Sequence, residues 1–215
     1  MIRKSLLTSA ALALVLGAAP AMAQSGENNF AEIDQVGNDD ATVTQTGSFN
    51  DTKLVQKGDS SAPNTAMIEQ VGSTNSVIST QMNYVGPANE LTITQDGANN
   101  KAESMQMSGG QTIDLLQEGE GNFANPDQRG LGNGNVTIAK QLGNNNTLVT
   151  AQGSQNPVQN TANGGSIDVL QDGNNNDGTV IQSTVNGSIT GNTAILNQVG
   201  DDNMATVTQQ AQPAQ

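Results

Sequence analysis

Pairs of glutamine residues recur in this chain at a fixed distance of eleven positions. The distance occurs seven times, whereas the gap from one pair to the next varies from 11 to 19 positions; the pairs are Gln45/Gln56, Gln70/Gln81, Gln95/Gln106, Gln117/Gln128, Gln141/Gln152, Gln171/Gln182 and Gln198/Gln209. A fixed distance indicates a structural unit and a variable one indicates a loop. The sequence therefore predicts a stack of seven repeated units.

Each pair opens with the motif Q-x-G-x-x-N. The copies at 95–106, 117–128 and 198–209 extend it to Q-x-G-x-x-N-x-A-x3-Q without a departure, and the other four replace the Ala. Glycine adopts a positive φ without steric cost, and Asn or Asp tolerates it, so this joint predicts a tight reversal of the chain. The predicted turn glycines are Gly47, Gly72, Gly97, Gly119, Gly143, Gly173 and Gly200.

The residues before each repeat glutamine follow the period of a strand. An Asn precedes the glutamine by six positions in twelve of fifteen cases, and an even offset places both amides on one face of a strand. Small or aliphatic residues lie between them on that face in most units, as in Ala41 and Val43 or Leu91 and Ile93. This alternation predicts half-buried strands of about seven residues, two in each unit.

One such unit cannot bury its own inner face, so stacked copies must do so. We therefore predict an all-β fold, a β-solenoid of about seven stacked strand-turn-strand layers that forms a cross-β amyloid fibre. Buried amides in such a stack find partners in the layers above and below. The predicted ladder consists of the paired glutamines given above together with Asn50, Asn75, Asn100, Asn122, Asn146, Asn176 and Asn203.

The N-terminus has the pattern of a secretory signal. Arg3 and Lys4 precede an apolar run that ends at the small-residue site Ala21-Met22-Ala23, and the run is too short for a membrane helix. We predict a signal peptide at 1–23 and a mature chain that starts at Gln24. An N-terminal segment, 24–40, with a half-repeat at 29–35 then precedes the repeats at 41–209 and a tail at 210–215.

Composition narrows the function classes. The chain has no Cys and no His, which argues against disulfides, thiolate or imidazole metal sites and His-based catalysis, so we expect no enzyme and no cofactor. Without Arg3 and Lys4 the mature chain has 5 basic and 20 acidic residues, a net charge of −15, which argues against nucleic acid as a partner. Asp39-Asp40, 172–177 and Asp201-Asp202 resemble calcium loops in composition but not in spacing, and we expect them to slow uncontrolled pairing instead.

The recurrent Gln, Gly, Asn, Ala and Gln resemble the curlin repeat of bacterial curli subunits, and the resemblance extends from about Asn29 to Gln209. It implies a major-subunit-like protein that is secreted through the periplasm and polymerises at the cell surface into a functional amyloid fibre for adhesion and biofilm matrix. It also implies a nucleator subunit, an outer-membrane secretion pore and periplasmic chaperones as partners, with no transmembrane segment in the mature chain.

Two alternatives remain open at the level of the sequence. The chain could be the minor nucleator of such a fibre, which would accelerate a partner's polymerisation at substoichiometric amounts. It could instead be a monomeric solenoid that binds ice or carbohydrate, which would present a regular array of Thr on one face. Asn- and Gln-rich composition by itself would also permit a disordered chain.

Two irregular units carry separate expectations. Pro126 falls on the inward face of the strand at 122–128, so we expect that strand to be interrupted or distorted. In the unit at 135–141, Val136 and Ile138 fall on the face that should point outward, which predicts either an exposed apolar stripe or a register shift.

Overall fold

The structure, a computed structural model, describes residues 14–16, 21–58, 62–83, 86–129, 134–153, 162–184 and 189–211. The regular structure in these ranges is all β, and none of them contains a helix that could cross a bilayer. The strands, in chain order, are β1 (Leu14–Leu16), β2 (Ala21–Ser25), β3 (Phe30–Val36), β4 (Asp40–Ser48), β5 (Asp51–Lys57), β6 (Thr65–Ser73), β7 (Ser76–Met82), β8 (Glu90–Ala98), β9 (Lys101–Met107), β10 (Thr112–Glu120), β11 (Phe123–Arg129), β12 (Val136–Leu142), β13 (Thr147–Gly153), β14 (Ala162–Asn163), β15 (Ser166–Asp172), β16 (Asp177–Thr184), β17 (Ile189–Thr190), β18 (Thr193–Val199) and β19 (Met204–Ala211).

Two parallel sheets face each other across a single core. Sheet A has the order β1-β3-β5-β7-β9-β11-β13-β16-β19 and sheet B has the order β18-β15-β12-β10-β8-β6-β4-β2, while β14 and β17 form a small separate pair. Because strands adjacent in the chain lie in opposite sheets, each turn of the chain adds one strand to each sheet. The predicted β-solenoid is confirmed.

The seven repeats form seven layers, with six layer-to-layer interfaces in each sheet. We number the layers in chain order, so that layer 1 is β4 with β5, layer 2 is β6 with β7, layer 3 is β8 with β9, layer 4 is β10 with β11, layer 5 is β12 with β13, layer 6 is β15 with β16 and layer 7 is β18 with β19. The half-repeat forms β3, which with β2 makes an N-terminal layer before layer 1. The eleven-residue distance thus covers the arc and the sheet-A strand of each layer, whereas each variable gap contains the connection to the next layer and the first part of its sheet-B strand.

The core is narrow and is filled by the alternate residues of each strand. In β8, for example, Leu91, Ile93 and Gln95 are buried while the residues between them face outward. In β9 of the same layer the buried residues are Ala102, Ser104 and Gln106. Side-chain alternation along a strand explains why the inward residues could be predicted from spacing.

Strand β12 keeps the common register although its apolar pattern is inverted. Val136 and Ile138 face outward, whereas Thr137 and Ala139 are buried. Gln141 is nevertheless aligned with the ladder glutamines of β10 and β15. A one-residue shift would bury the two β-branched residues but would expel this glutamine from the core. The structure therefore has the exposed apolar stripe and no register shift.

Pro126 does not interrupt its strand, so this part of the expectation was wrong. β11 is continuous and pairs with β13 at all seven positions, with Pro126 buried. Its pairing with β9 on the other side is lost at Asn125 and Pro126. The distortion is therefore confined to one edge of the strand.

The direction of the backbone bonds explains this asymmetry. The amide N–H of the outward residue Phe123 donates to the carbonyl of Asn146 in the layer above, whereas that of the inward residue Asn122 donates to the layer below, to Oδ1 of Asn100. Inward positions therefore donate downward, toward β9, and Pro126 has no N–H to donate there. Only the bond to β9 is lost.

We predict that Pro126→Val stabilises the solenoid by about 1 kcal/mol, since it restores one backbone hydrogen bond and a valine, Val180, already occupies the same column in β16. The measurement is the denaturant midpoint of the assembled chain. Pro63→Val, at an exposed position, is the matched control and reports the loss of proline rigidity alone. A midpoint that moves equally in both variants would contradict the assigned bond.

Two short strands of the predicted signal peptide lie against the stack. β1 pairs with β3, and β2 pairs with β4. Residues 1–13 and 17–20 lie outside the described residues. Cleavage before Gln24 remains a prediction, and it would remove β1 and most of β2.

Candidate functional site

The centre of sheet B is a continuous ladder of glutamine side chains. Each Nε2 donates to Oε1 of the glutamine in the next layer at 2.8 or 2.9 Å. The ladder runs through Gln24, Gln45, Gln70, Gln95, Gln117, Gln141, Gln171 and Gln198. Parallel, in-register strands place identical side chains above one another, so each amide acts as donor and acceptor at once.

Sheet A contains a second ladder of the same kind. It runs through Gln35, Gln56, Gln81, Gln106, Gln128, Gln152, Gln182 and Gln209, with six of the seven bonds at 2.8 to 3.0 Å. The exception is the 3.4 Å bond from Gln106 to Gln128. This bond crosses the interface at which Pro126 removes a backbone bond, so the weak points of the backbone and the side-chain ladder coincide.

At many ladder positions the second N–H of the amide ties the two sheets together. Gln70 Nε2 also donates to the carbonyl of Asp51, and Gln95 Nε2 to that of Ser76, each at 3.1 Å. These carbonyls belong to strands of sheet A, whereas the two glutamines belong to sheet B. The buried glutamines with two such bonds therefore satisfy both of their donors, which removes the cost of burying an amide.

The asparagines bind backbone rather than one another at most positions, which the sequence reasoning did not foresee. Asn50 Nδ2 donates to the carbonyls of Thr46 and, in the next layer, Gly72, at 3.2 and 3.1 Å, while its Oδ1 accepts the backbone N–H of Asn75 at 3.1 Å. An amide-to-amide bond also forms between Asn100 and Asn122 at 3.1 Å. The backbone N–H of Asn146 donates to Oδ1 of Asn122 at 3.0 Å. Amide-to-amide bonds then join Asn176 to Asn146 at 3.0 Å and Asn203 to Asn176 at 2.9 Å. The Asn column thus holds the arcs between the strands in place.

The predicted turn glycines all adopt left-handed φ values between +100° and +131°. They stack directly above one another, and a Cβ on any of the first six would overlap the carbonyl oxygen of the glycine in the next layer. Conformation and close approach of the backbone therefore both require glycine here. Gly200, in the last layer, is the exception, because the nearest atom to its missing Cβ is 3.8 Å away.

A second left-handed position lies four residues after the sheet-B glutamines, and the sequence reasoning missed it. It is occupied by Asn28, Phe49, Thr74, Asn99, Gly121, Asn145, Asn175 and Asp202, with φ values from +55° to +70°. Asn, Asp and Gly predominate because they tolerate this region, whereas Phe49 and the β-branched Thr74 are strained there. The recurrence of Asn, Asp or Gly at this offset was the available signal.

Asp39 lies directly before β4 of layer 1, at a position that is asparagine in the next two layers. It is fully buried at the position of Asn64 and Asn89 in the layers above, and its Oδ1 accepts hydrogen bonds from the backbone and side chain of Asn64 at 2.8 and 3.1 Å. Its Oδ2 is buried without a partner. Burial raises the pKa of the Asp39 carboxyl above its ordinary value, although hydrogen bonds from Asn64 and Gly58 oppose the shift. Asp39 is therefore part of the core rather than of an exposed acidic arc, which corrects that part of the sequence-based expectation.

A raised pKa means that the charged form of Asp39 destabilises the folded stack. At a pH low enough to protonate the carboxyl in both the folded and the unfolded state, this destabilisation is absent. It grows as the pH rises from about 3.8, the ordinary pKa, and reaches its full value above the raised pKa of the folded state. We predict that Asp39→Asn stabilises the assembled chain by about 1–3 kcal/mol at neutral pH and by less near pH 3. Denaturant midpoints at both pH values measure this. Asp40→Asn, at an exposed position, is the control, and an equal gain in both variants would refute the role of burial.

The outer faces of the two sheets differ in charge. Sheet A carries Lys53, Lys57, Lys101 and Arg129, three of them in ion pairs with Glu32, Glu103 and Asp127. Sheet B carries one basic residue, Lys140, against Asp40, Glu69, Glu90, Asp96, Asp114, Glu118, Glu120, Asp168 and Asp172. The ion pairs are half-exposed and add little stability.

The acidic residues of the arcs act as hydrogen-bond acceptors. Asp201 Oδ1 accepts from the backbone and side chain of Asn174, and Asp202 Oδ1 from the side chain of Asn175. Among the described residues, no group of three or more Asp and Glu is placed to hold a metal ion. The carboxylates at this end terminate a surface ladder that begins with Asn144 and Asn174.

The threonines of sheet B do not form a continuous array. Thr42 and Thr44 of β4 lie beside Met67 and Glu69 of β6, and the next threonine pair, on β8, follows only after that strand. The regular Thr surface expected of an ice-binding solenoid is therefore broken in the second layer. Nothing in this face favours the alternative of a binding module.

The parallel two-sheet solenoid, with amide ladders inside and glycine arcs at its corner, repeats one structural unit along its axis. Two stretches of the chain, 22–47 and 190–210, match the family model of the curlin associated repeat, which confirms the resemblance noted from the motif. The matched stretches contain β3, most of β4, β18 and most of β19, and the layers between them are paired in the same register. No curated protein matches the chain.

Proposed function

We propose that this protein is a secreted structural subunit that assembles into curli-like functional amyloid fibres, which serve cell adhesion and the biofilm matrix. The observation that carries the proposal is that the described layers repeat one register along the stack. A fibre continues between chains the pairing that already exists within one chain.

The last layer supports this proposal because none of the described residues covers it. Sheet B ends at β18 and sheet A at β19 in the described part of the chain. Ala205 and Val207, whose counterparts in the layers below are buried, are only partly buried here. A parallel strand edge with its core residues exposed is a template for another strand.

In this proposal the buried amides and the arc glycines have structural roles. The amides hold the layers in register, the glycines let the arcs approach, and neither group has a catalytic part. Few large apolar residues and a strong negative charge suit a chain that must cross two membranes before it assembles.

Purified chain from Gln24 to Gln215 tests the proposal directly. Its fibres should give a cross-β meridional reflection at about 4.7–4.8 Å, and preformed fibres should remove the lag of amyloid-dye fluorescence. A chain that stays soluble and never gives this reflection, even when seeded, would refute the proposal. Acceleration of other subunits at substoichiometric amounts without fibres of its own would instead indicate a nucleator.

A further inference from the structure

Three methionines lie together on the outer face of sheet A. Met82 is the last residue of β7, and Met105 and Met107 lie two positions apart at the end of β9. The register of these strands aligns Met82 with Met107. From this arrangement we infer that the outer face of layers 2 and 3 binds one soft monovalent metal ion, Cu(I) or Ag(I), through three thioether sulfurs. The site needs only the stack within one chain, so it does not depend on the proposed fibre.

The backbone brings the three side chains within reach of one ion. Met82 and Met107 are on neighbouring strands, which are about 4.8 Å apart. Met105 and Met107 are about 6.6 Å apart along β9 and share a face because their separation is even. A methionine side chain is unbranched and has three rotatable bonds, so sulfurs that start at these distances can converge. Stacking of the layers is what adds the third sulfur to the pair that β9 provides.

Burial distinguishes these methionines from the others on the sheets. Met82, Met105 and Met107 are half-buried although they occupy outward positions. Met67 and Met204 also face outward, on β6 and β19, but are 58% and 82% exposed. The three thioethers are therefore sheltered from water by their neighbours, which favours an ion that prefers sulfur to oxygen ligands.

The donor set selects the kind of ion. Thioether sulfur is a soft, neutral ligand that suits Cu(I) and is a poor ligand for Mg²⁺ or Ca²⁺. The chain has no Cys and no His, so no thiolate or imidazole of its own competes for a soft ion. A thioether also carries no proton to be displaced, in contrast to the ligands whose metal affinity depends on pH.

The charged side chains around the cluster permit a monovalent cation. Arg129 forms an ion pair of 2.6 Å with Asp127, and Asp127 is aligned with Met105, so this pair adds no net charge beside the sulfurs. Lys57 is aligned with Met82 and is exposed. Solvent and salt therefore screen its repulsion of a single positive charge.

Silver binding tests the site, since Ag(I) shares the preference of Cu(I) for sulfur and needs no reductant. Folded chain, residues 24–215, with its β-structure checked by circular dichroism, is titrated with silver nitrate in chloride-free buffer in a calorimeter. Wild type should bind one Ag(I) per chain at the tightest site. Met82→Leu, Met105→Leu and Met107→Leu nearly keep the volume but remove one sulfur each. Each should weaken this binding at least about tenfold, since even changes outside the ligand shell cost metal sites about 10- to 100-fold.

Met67→Leu and Met204→Leu are the matched controls and should leave the affinity unchanged, because neither residue has another methionine beside it on the sheet. Met82→Leu is the decisive variant, since Met82 joins the other two only through stacking. In chain unfolded by urea this substitution should have no effect, whereas in folded chain it should. X-ray absorption at the silver edge should show sulfur neighbours only. A folded Met82→Leu chain that binds Ag(I) as tightly as the wild type would overturn the site, as would an equal loss in Met67→Leu.

Discussion

Gly72→Ala is expected to prevent assembly of the solenoid. The new Cβ would overlap the carbonyl oxygen of Gly97, which is backbone of the next layer and cannot turn aside. Layers 2 and 3 would have to separate at the arc, with loss of the bond from Asn75 Nδ2 to the carbonyl of Gly97. We expect the assembled chain to lose about 3 kcal/mol or more, because overpacking against fixed backbone is not relieved by a change of rotamer.

Seeded growth and the denaturant midpoint of any fibres measure this effect. Gly191→Ala is the matched control: its φ of +71° is also left-handed, but no atom lies within 4 Å of the missing Cβ. The control carries the conformational strain of about 1–2 kcal/mol and not the overlap. If both variants lose the same amount, close stacking of the arcs is not what requires glycine.

Gln95→Ala is expected to have the second-largest effect. The substitution leaves Gln70 Nε2 without its acceptor and Gln117 Oε1 without its donor, both within the core, where each bond is 2.8 Å long. An orphaned buried polar group costs about 1–3 kcal/mol, so the loss should be about 2–6 kcal/mol. The measurement is again the denaturant midpoint of the assembled chain.

Two further variants separate hydrogen bonding from packing. Gln95→Met nearly keeps the volume but donates nothing, so it should remain destabilised relative to wild type. Gln210→Ala removes an exposed glutamine and should change the midpoint by less than about 0.5 kcal/mol. A Gln95→Met chain as stable as the wild type would show that the ladder contributes little beyond filling space.

Much of this architecture was predictable because a strand alternates its side chains without exception. The eleven-residue distance between Gln45 and Gln56 allows one strand-turn-strand unit, and its repetition predicts the seven layers that the structure contains. The inward set followed from the same rule, so Leu91 and Ile93 could be assigned to the core from their distance to Gln95. These features depend on local geometry only.

Other features depend on what lies in the next layer. No local rule shows that the Asn50 amide turns to the backbone of Gly72 rather than to another Asn, because the choice depends on how closely the arcs stack. The one-sided effect of Pro126 likewise depends on which neighbour its missing N–H would have faced.

The sequence by itself determined the period, the inward faces and the need for glycine in the arcs, since these follow from backbone geometry that each unit carries within it. The tertiary structure alone decided the burial of Asp39, the fixed register of β12 and the common direction of the two amide ladders. Those three features arise only when parallel layers are stacked, because each is set by the hydrogen-bond partner that the neighbouring layer provides.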